Sequence, residues 1–374
     1  MSTISNWKQK VLYTPGPLTT SMAVKQAMSR DVGHRDFEFI QAVKDVRKKI
    51  LEVGEVDGKG YEAILLQGSG TYAVEAVIST GTPEDGKWLV IENGAYGARI
   101  AKIIDVLKIK KTSLIYAENE IPKLEDIDKA LSDDPEITHV AVIHNETTTG
   151  MVNPIDEIGK IVKKYNKIYF VDAMSSFGAF KMPLDELDID WLACTANKNF
   201  EGVPGFAFVV VKRDVLMACE GNARSMVLDL VEQLKGFEKN GQFRFSPPTH
   251  TILAFKTACE ELDAEGGVAG REARYRESYE ALIDGMAKLG FTEYLPREIQ
   301  GHIIVSWNYP DHPNFDFEEF YKILNDRGYV IYPGKVSNAD CFRLAVCGRL
   351  FKNDILDVIN AIRETMDVMG VKLV

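Results

Sequence analysis

The stretch YEAILLQGSGTYAVEAV (residues 61–77) reads as a strand, a glycine turn and a helix in direct succession. Its apolar opening suits a strand buried on both faces, Gly68 and Gly70 punctuate it, and a helical pattern starts near Thr71. The motif then recurs. KWLVIE (87–92) precedes a helix near Tyr96, and THVAVIH (138–144) precedes one entered through Pro154, a residue suited to a first helical turn. NKIYFVDA, IDWLACTA and GFAFVVV follow as closely spaced strands. Such alternation predicts an α/β fold, a mostly parallel sheet covered by helices.

Upstream, residues 36–53 place Phe37, Ile40, Val43, Val46, Ile50 and Val53 at steps of three or four, which predicts an amphipathic helix packed outside the sheet. Downstream, EKNGQFRFSPPTH (238–250) carries turn residues without a period and leads into TILAFKTACEEL, a long helix ending before Gly266 and Gly267. HIIVSW, YVIYPG and CFRLAV beyond it are short strands of a smaller α+β domain. The expected division is an N-terminal segment (1–20), a large domain (21–250), and a linking helix with a small C-terminal domain (251–374).

With 374 residues, 45% hydrophobic and 26% charged, the chain has the composition of a globular protein, and a net charge of −11 argues against nucleic acid or an anionic membrane as partner. The opening MSTISNWKQK lacks a signal-peptide pattern and no apolar run spans a bilayer, so a cytoplasmic location is expected. Five cysteines without a C-x-x-C pair read as buried thiols, and six histidines without ligand spacing give no reason to expect a metal.

In open α/β sheets ligands bind beyond the carboxyl ends of the strands. The residues there are Gly68-Ser69-Gly70-Thr71, Gly94 to Gly97, Asn145 to Gly150, Asp172 and Lys198. The first turn offers backbone amides, hydroxyls and a helix N-terminus to a phosphate. It also satisfies G-x-G-x-x-A through Gly68, Gly70 and Ala73, with Glu92 ending the next strand, so an NAD-dependent oxidoreductase is a rival of a different class. Asp172 ends an apolar strand and needs a positive partner, which is either a structural cation or a protonated pyridine nitrogen. Lys198, between an apolar strand and a Gly/Pro turn, is a solvated loop lysine or an amine that holds an aldehyde. Phosphate turn, aspartate and lysine together describe a pyridoxal 5'-phosphate site. Tyr96 suits a ring stacked on that cofactor, or a core tyrosine; Thr147 suits a donor to its phenolic oxygen, or a turn residue.

The ordered set TPGPLTTS, LLQGSGTYAVEAV, NGAYGAR, HNETTTGMVNP, VDAMSSFGA and ANKNFEGVPGFAFV closely resembles the 2-aminoethylphosphonate:pyruvate transaminases, in the alanine–glyoxylate-like branch of fold-type-I (class V) pyridoxal phosphate enzymes. The likeness runs from about Leu12 to beyond Arg343. It implies a seven-stranded, mostly parallel sheet and a homodimer with shared active sites. It implies that Ser69, Gly70 and Thr71 hold the phosphate, Tyr96 stacks on the ring and Thr147 contacts its oxygen. Asp172 would meet the pyridine nitrogen, Lys198 would bind the aldehyde and act as catalytic base, and Thr251 would reach the neighbouring subunit's phosphate. Arg343 would bind the substrate's acid group. The reaction implied moves the amino group of 2-aminoethylphosphonate to pyruvate. DVGHRDFEF (31–39) departs from the family pattern and is closer to glyoxylate-using relatives, which keeps an alanine- or serine-dependent glyoxylate transaminase as the alternative. A phosphonate needs a second cation beside Arg343, and His34 or Arg35 is expected to supply it. A cysteine desulfurase would require a mobile thiol, whereas Cys341 and Cys347 lie in strand-like surroundings.

Overall fold

The computed structural model describes residues 9–336 and 339–373. The first eight residues of the expected N-terminal segment lie outside the described residues.

Seven strands form the central sheet, in the spatial order Tyr61–Gln67, Phe206–Lys212, Trp191–Thr195, Ile168–Asp172, His139–Ile143, Lys87–Glu92 and Lys110–Ile115. Phe206–Lys212 runs antiparallel to both its neighbours and every other pairing is parallel. The inner strands are buried along nearly their whole length, which explains their unbroken apolar runs. Lys110–Ile115 is instead a half-exposed edge strand opening on two lysines, a composition that discourages pairing with another chain. The helix Gly70–Gly81 lies buried against the sheet. Phe37–Val53 packs on the opposite edge strand, Tyr61–Gln67, and on the long helix Thr249–Ala264. Its buried face is Phe39, Ala42, Val43, Val46 and Ile50. Phe37, expected on that face, is 80% exposed, and Phe39 in the same first turn is buried in its place.

A second apolar core lies around the three-stranded antiparallel sheet Ile304–Asn308, Cys341–Ala345 and Tyr332–Pro333, and draws on the helices Gly267–Lys288, Phe317–Asp326 and Lys352–Met369. The N-terminal segment is sewn to this C-terminal unit. Val11–Leu12 pairs in parallel with Tyr329–Val330, Tyr13 and Leu18 enter the second core, and the Tyr13 hydroxyl donates to the Asp354 carbonyl at 2.8 Å. Between these anchors, Gly16 lies against the side chain of Lys198. The five cysteines are free and buried. Among the described residues no helix is long and apolar enough to cross a membrane.

Candidate active site

The carboxyl ends of the parallel strands open on a cavity of about 190 Å³, lined by Ser69, Gly70, Thr71, Tyr96, Thr147, Asp172 and Lys198 among others. Two strand-to-helix connections, carrying Ser69–Thr71 and Tyr96, and three strand-to-strand connections, carrying Thr147, Asp172 and Lys198, bring these residues together.

The glycine turn is required by space. Gly68 has φ +116°, and a Cβ there would stand 2.8 Å from Cγ of Tyr72; a Cβ on Gly70 would stand 2.5 Å from Sδ of Met174. The turn therefore closes tightly on the loop after Asp172. Ser69 is the N-cap of Gly70–Gly81 but its hydroxyl makes no capping hydrogen bond, and no acidic residue occupies the first turn. Free amides, a free hydroxyl and the positive helix end face one point.

Asp172 is buried, and its Oδ1 accepts from the Met174 amide at 3.0 Å. Burial pushes its carboxyl up to about 7, with the charge of Glu146 adding to the rise; the Met174 amide, Lys198 and Arg99 pull against it. No cation lies within ion-pair distance of Asp172 among the described residues. A buried acid with one oxygen tied and no cation is suited to a cationic ligand group.

Lys198 follows the strand Trp191–Thr195, half-buried, and among the described residues its amine has no hydrogen bond or ion pair. Its backbone is held from behind. The Lys198 carbonyl accepts from the Glu201 amide at 2.7 Å, and Glu201 sits at φ +62°. The Glu201 carboxylate accepts from Arg274 Nη2 at 2.6 Å and the Tyr275 hydroxyl at 2.7 Å. Arg271 Nη1 donates to the Asn199 carbonyl at 2.5 Å, and Arg274 Nη1 donates to the carbonyls of Gly348 and Leu350, both at 2.7 Å. This buried network couples the lysine loop to the segment just beyond the Arg343 strand.

Tyr96 stands in the first turn of Ala95–Val106 and forms a cavity wall. That helix is capped by the ETTTG segment. Glu146 Oε2 accepts from the amides of Tyr96 and Gly97, both at 3.2 Å; Oε1 accepts from the Thr148 amide at 3.0 Å and the Thr148 hydroxyl at 2.6 Å. Thr148 Oγ1 also accepts from the Ala95 amide at 2.9 Å. Burial raises the Glu146 carboxyl against these bonds. Burial would raise the Tyr96 phenol too, but Lys198, Lys335, a hydrogen bond with Thr147, and Arg343 together bring it below its ordinary value. Arg99 and Lys335 both stand over the Tyr96 ring, at 4.8 and 4.1 Å from its centroid.

Arg343 is buried in Cys341–Ala345 beside this wall. Nη1 donates to the Thr147 carbonyl at 2.6 Å and Nε to the Pro333 carbonyl at 3.1 Å. His34 and Arg35 are not brought to the cavity of their own chain. They lie in an exposed turn held by the Gly33 amide donating to Asp36 Oδ2 at 2.8 Å. Thr251 is also outside the cavity, buried against Gly205 with its hydroxyl 3.5 Å from the Pro204 carbonyl. Sequence pattern alone does not single out Glu146, Arg99 or Lys335. Arg99 stands one helical turn from Tyr96, and Lys335 follows the Pro-Gly turn leading to the Arg343 strand; these spacings are the signals that could find them.

An unpartnered amine, a cation-free acid, an aromatic wall and a phosphate-ready turn fit a planar, phosphorylated, basic aromatic aldehyde. Neither Ala73, which is fully buried, nor Glu92 of the dinucleotide pattern is part of the cavity wall.

A family model described as Aminotransferase class-V matches residues 8–341. The 2-aminoethylphosphonate--pyruvate transaminase of Syntrophobacter fumaroxidans is 46% identical over 361 residues, covering 96% of this chain and 97% of the relative. Its namesake from Salmonella heidelberg is 46% identical over 358 residues, covering 95% and 97%. The crystal structure of ureidoglycine-glyoxylate aminotransferase from Bacillus subtilis superposes with a TM-score of 0.89 at 21% identity, covering 98% of this chain and 95% of that one. Pyridoxamine-pyruvate aminotransferase from Mesorhizobium loti gives a TM-score of 0.88 at 21% identity, covering 98% and 94%. These two structures establish the likeness of fold.

Proposed function

The chain belongs to the class-V aminotransferases, a pyridoxal phosphate-dependent family, and from that premise we propose that it transfers the amino group of 2-aminoethylphosphonate to pyruvate, yielding phosphonoacetaldehyde and L-alanine. The observation carrying this reading is the convergence of Asp172, Lys198 and the Ser69–Thr71 turn on one cavity, in a chain 46% identical over nearly its whole length to relatives bearing that name. We place the enzyme in the cytoplasm as a homodimer, with Thr251 completing the neighbour's phosphate site.

In this proposal Ser69, Gly70 and Thr71 hold the cofactor phosphate, Tyr96 covers the ring and Thr147 contacts its phenolic oxygen. When bound, the cofactor supplies an aldehyde that carries the amino group and a protonated pyridine that accepts the electron pair left when the donor carbon loses its proton. The Asp172 carboxylate holds that proton on the pyridine nitrogen. Lys198 Nζ takes the proton from the amino-bearing carbon of the donor in one half-reaction and returns one to the corresponding carbon of alanine in the other. Arg343 orients the acid group of each substrate. The frame around Lys198 holds its backbone, and Gly16, where a Cβ would stand 2.6 Å from Cδ of Lys198, leaves room for its stem.

Single-turnover absorbance of the cofactor-loaded protein tests the reading. Conversion by 2-aminoethylphosphonate, reversed by pyruvate, is expected. Conversion by alanine or serine with glyoxylate as acceptor, and none by 2-aminoethylphosphonate, would replace it with a glyoxylate transaminase.

A further inference from the structure

The acid end of the substrate needs more positive charge than Arg343 supplies. A phosphonate carries close to two negative charges above neutral pH, by analogy with the second ionisation of a phosphate near pH 6. Two nitrogens of the Arg343 guanidinium already hold the carbonyls of Thr147 and Pro333, so only part of its fork is left for a ligand. The exposed pair His34 and Arg35 stands away from the cavity of its own chain.

Another cation is at hand. Tyr332 pairs with Arg343 and Pro333 with Phe342, after which Gly334 runs so close to the Cys341 backbone that no side chain would fit there. This close approach turns the chain towards the cavity wall and delivers Lys335 to Tyr96, its Nζ 4.1 Å from the ring centroid. Arg343 flanks the same tyrosine, and both cations lower its phenol. No carboxylate stands within ion-pair distance of Lys335 or Arg343 among the described residues, although the protein has a net charge of −11 and other half-buried lysines, such as Lys87 and Lys212, are paired. Arg99, the other cation on Tyr96, is 3.4 Å from the Thr71 hydroxyl and so belongs to the phosphate turn.

We propose that Lys335 is the second cation of the substrate's acid site: beside Arg343 it receives the phosphonate of the donor and sets the preference for a doubly charged phosphonate over a singly charged carboxylate. This assignment rests on the reading of the protein as a 2-aminoethylphosphonate transaminase. A lysine suits the role, because its compact ammonium can follow a tetrahedral group without the planar registration an arginine demands.

The test is single-turnover absorbance of the cofactor-loaded enzyme, with 2-aminoethylphosphonate and L-alanine as separate donors, for wild type, Lys335→Met and Lys335→Arg. Lys335→Met is expected to raise the half-saturating concentration of 2-aminoethylphosphonate by roughly ten- to a hundredfold, the range for a lost charged contact. The alanine half-reaction should stay within a factor of about three, and Lys335→Arg should recover most of the loss. The defect should be larger at about pH 8 than at about pH 5.5, where the phosphonate carries less charge. Equal defects with both donors, no defect with either, or a defect independent of pH would overturn the assignment while leaving the transaminase reading intact. A wild-type enzyme that accepts alanine and ignores 2-aminoethylphosphonate would overturn both.

Discussion

Gly16 lies directly against the stem of Lys198: a Cβ built on it would stand 2.6 Å from Cδ and 3.0 Å from Cε, at a φ of +132° that L side chains rarely adopt. The N-terminal segment, anchored in the second core, thus forms one wall of the lysine's channel. Gly16→Ala is expected to leave the fold in place but displace the amine, lowering kcat by roughly a hundredfold, the cost of about an ångström of misplacement at a reacting group. Steady-state kinetics with a circular dichroism control checks this, and a Gly16→Ala enzyme of full activity would show that the channel is wider than the contact implies.

Asp172 makes a second prediction, with opposite signs for the free and the loaded protein. In the unfolded chain an aspartic acid titrates near pH 3.9, whereas burial pushes the folded group up to about 7. Its ionisation therefore destabilises the cofactor-free fold above pH 7, by no more than about 4 kcal/mol, and this effect fades as pH falls from 7 towards 4. Asp172→Asn, which can still accept from the Met174 amide, should raise the Tm of the cofactor-free protein at pH 8 and leave it unchanged near pH 4. With pyridoxal phosphate bound, the carboxylate gains a cation and the order of the two proteins should reverse. Thermal melts across pH, with and without the cofactor, test both signs.

The seven-stranded sheet is legible in the sequence because its inner strands are buried on both faces and carry unbroken apolar runs, as in the fully buried Trp191–Thr195. The polar strand Lys110–Ile115 is not, since an edge strand needs neither alternation nor a continuous run. YVIYPG reads as one strand, yet Tyr329–Val330 pairs with Val11–Leu12 while Tyr332–Pro333 joins the Arg343 strand. Local pattern cannot show that a six-residue segment serves two sheets. At the site, the residues following strand ends are readable because the fold class alone says where ligands bind. Glu146 and Lys335 are not: one acts through backbone amides fifty positions away, and the other meets Tyr96 only through the placement of the small three-stranded sheet.

Glu201 should prove a support for the lysine loop. It is buried, and its carboxylate faces Arg274 and Tyr275 while its amide binds the Lys198 carbonyl. Burial would raise Glu265, the second acid of the network, but Arg274 and Arg271 hold it below its ordinary value. Glu201→Gln removes one of the two balancing charges and is expected to destabilise the protein by about 3 kcal/mol, read as a lower urea midpoint. An unchanged midpoint would mean that Glu265 alone balances both arginines.

Arg343 differs from Lys335 in what it holds. Its guanidinium joins the Thr147 carbonyl to the Pro333 carbonyl of the small sheet, so it fixes the wall behind Tyr96, and in the proposed reaction it would also meet the substrate's acid group. Both amino donors carry an acid group, and pyruvate carries one too, so Arg343→Met should depress both half-reactions by roughly a hundredfold or more. Arg343→Lys should recover little, because a single ammonium cannot span two carbonyls in fixed directions and still bind an acid. The two sites are therefore separable by pattern: loss at Arg343 should be indifferent to the donor and resistant to conservative replacement, whereas loss at Lys335 should be selective and rescued by arginine. Measuring kcat/KM for 2-aminoethylphosphonate, alanine and pyruvate in each variant distinguishes them. An Arg343→Lys enzyme with near-normal constants for all three would show that position 343 contributes charge alone, and that its two carbonyl contacts play no part in shaping the site.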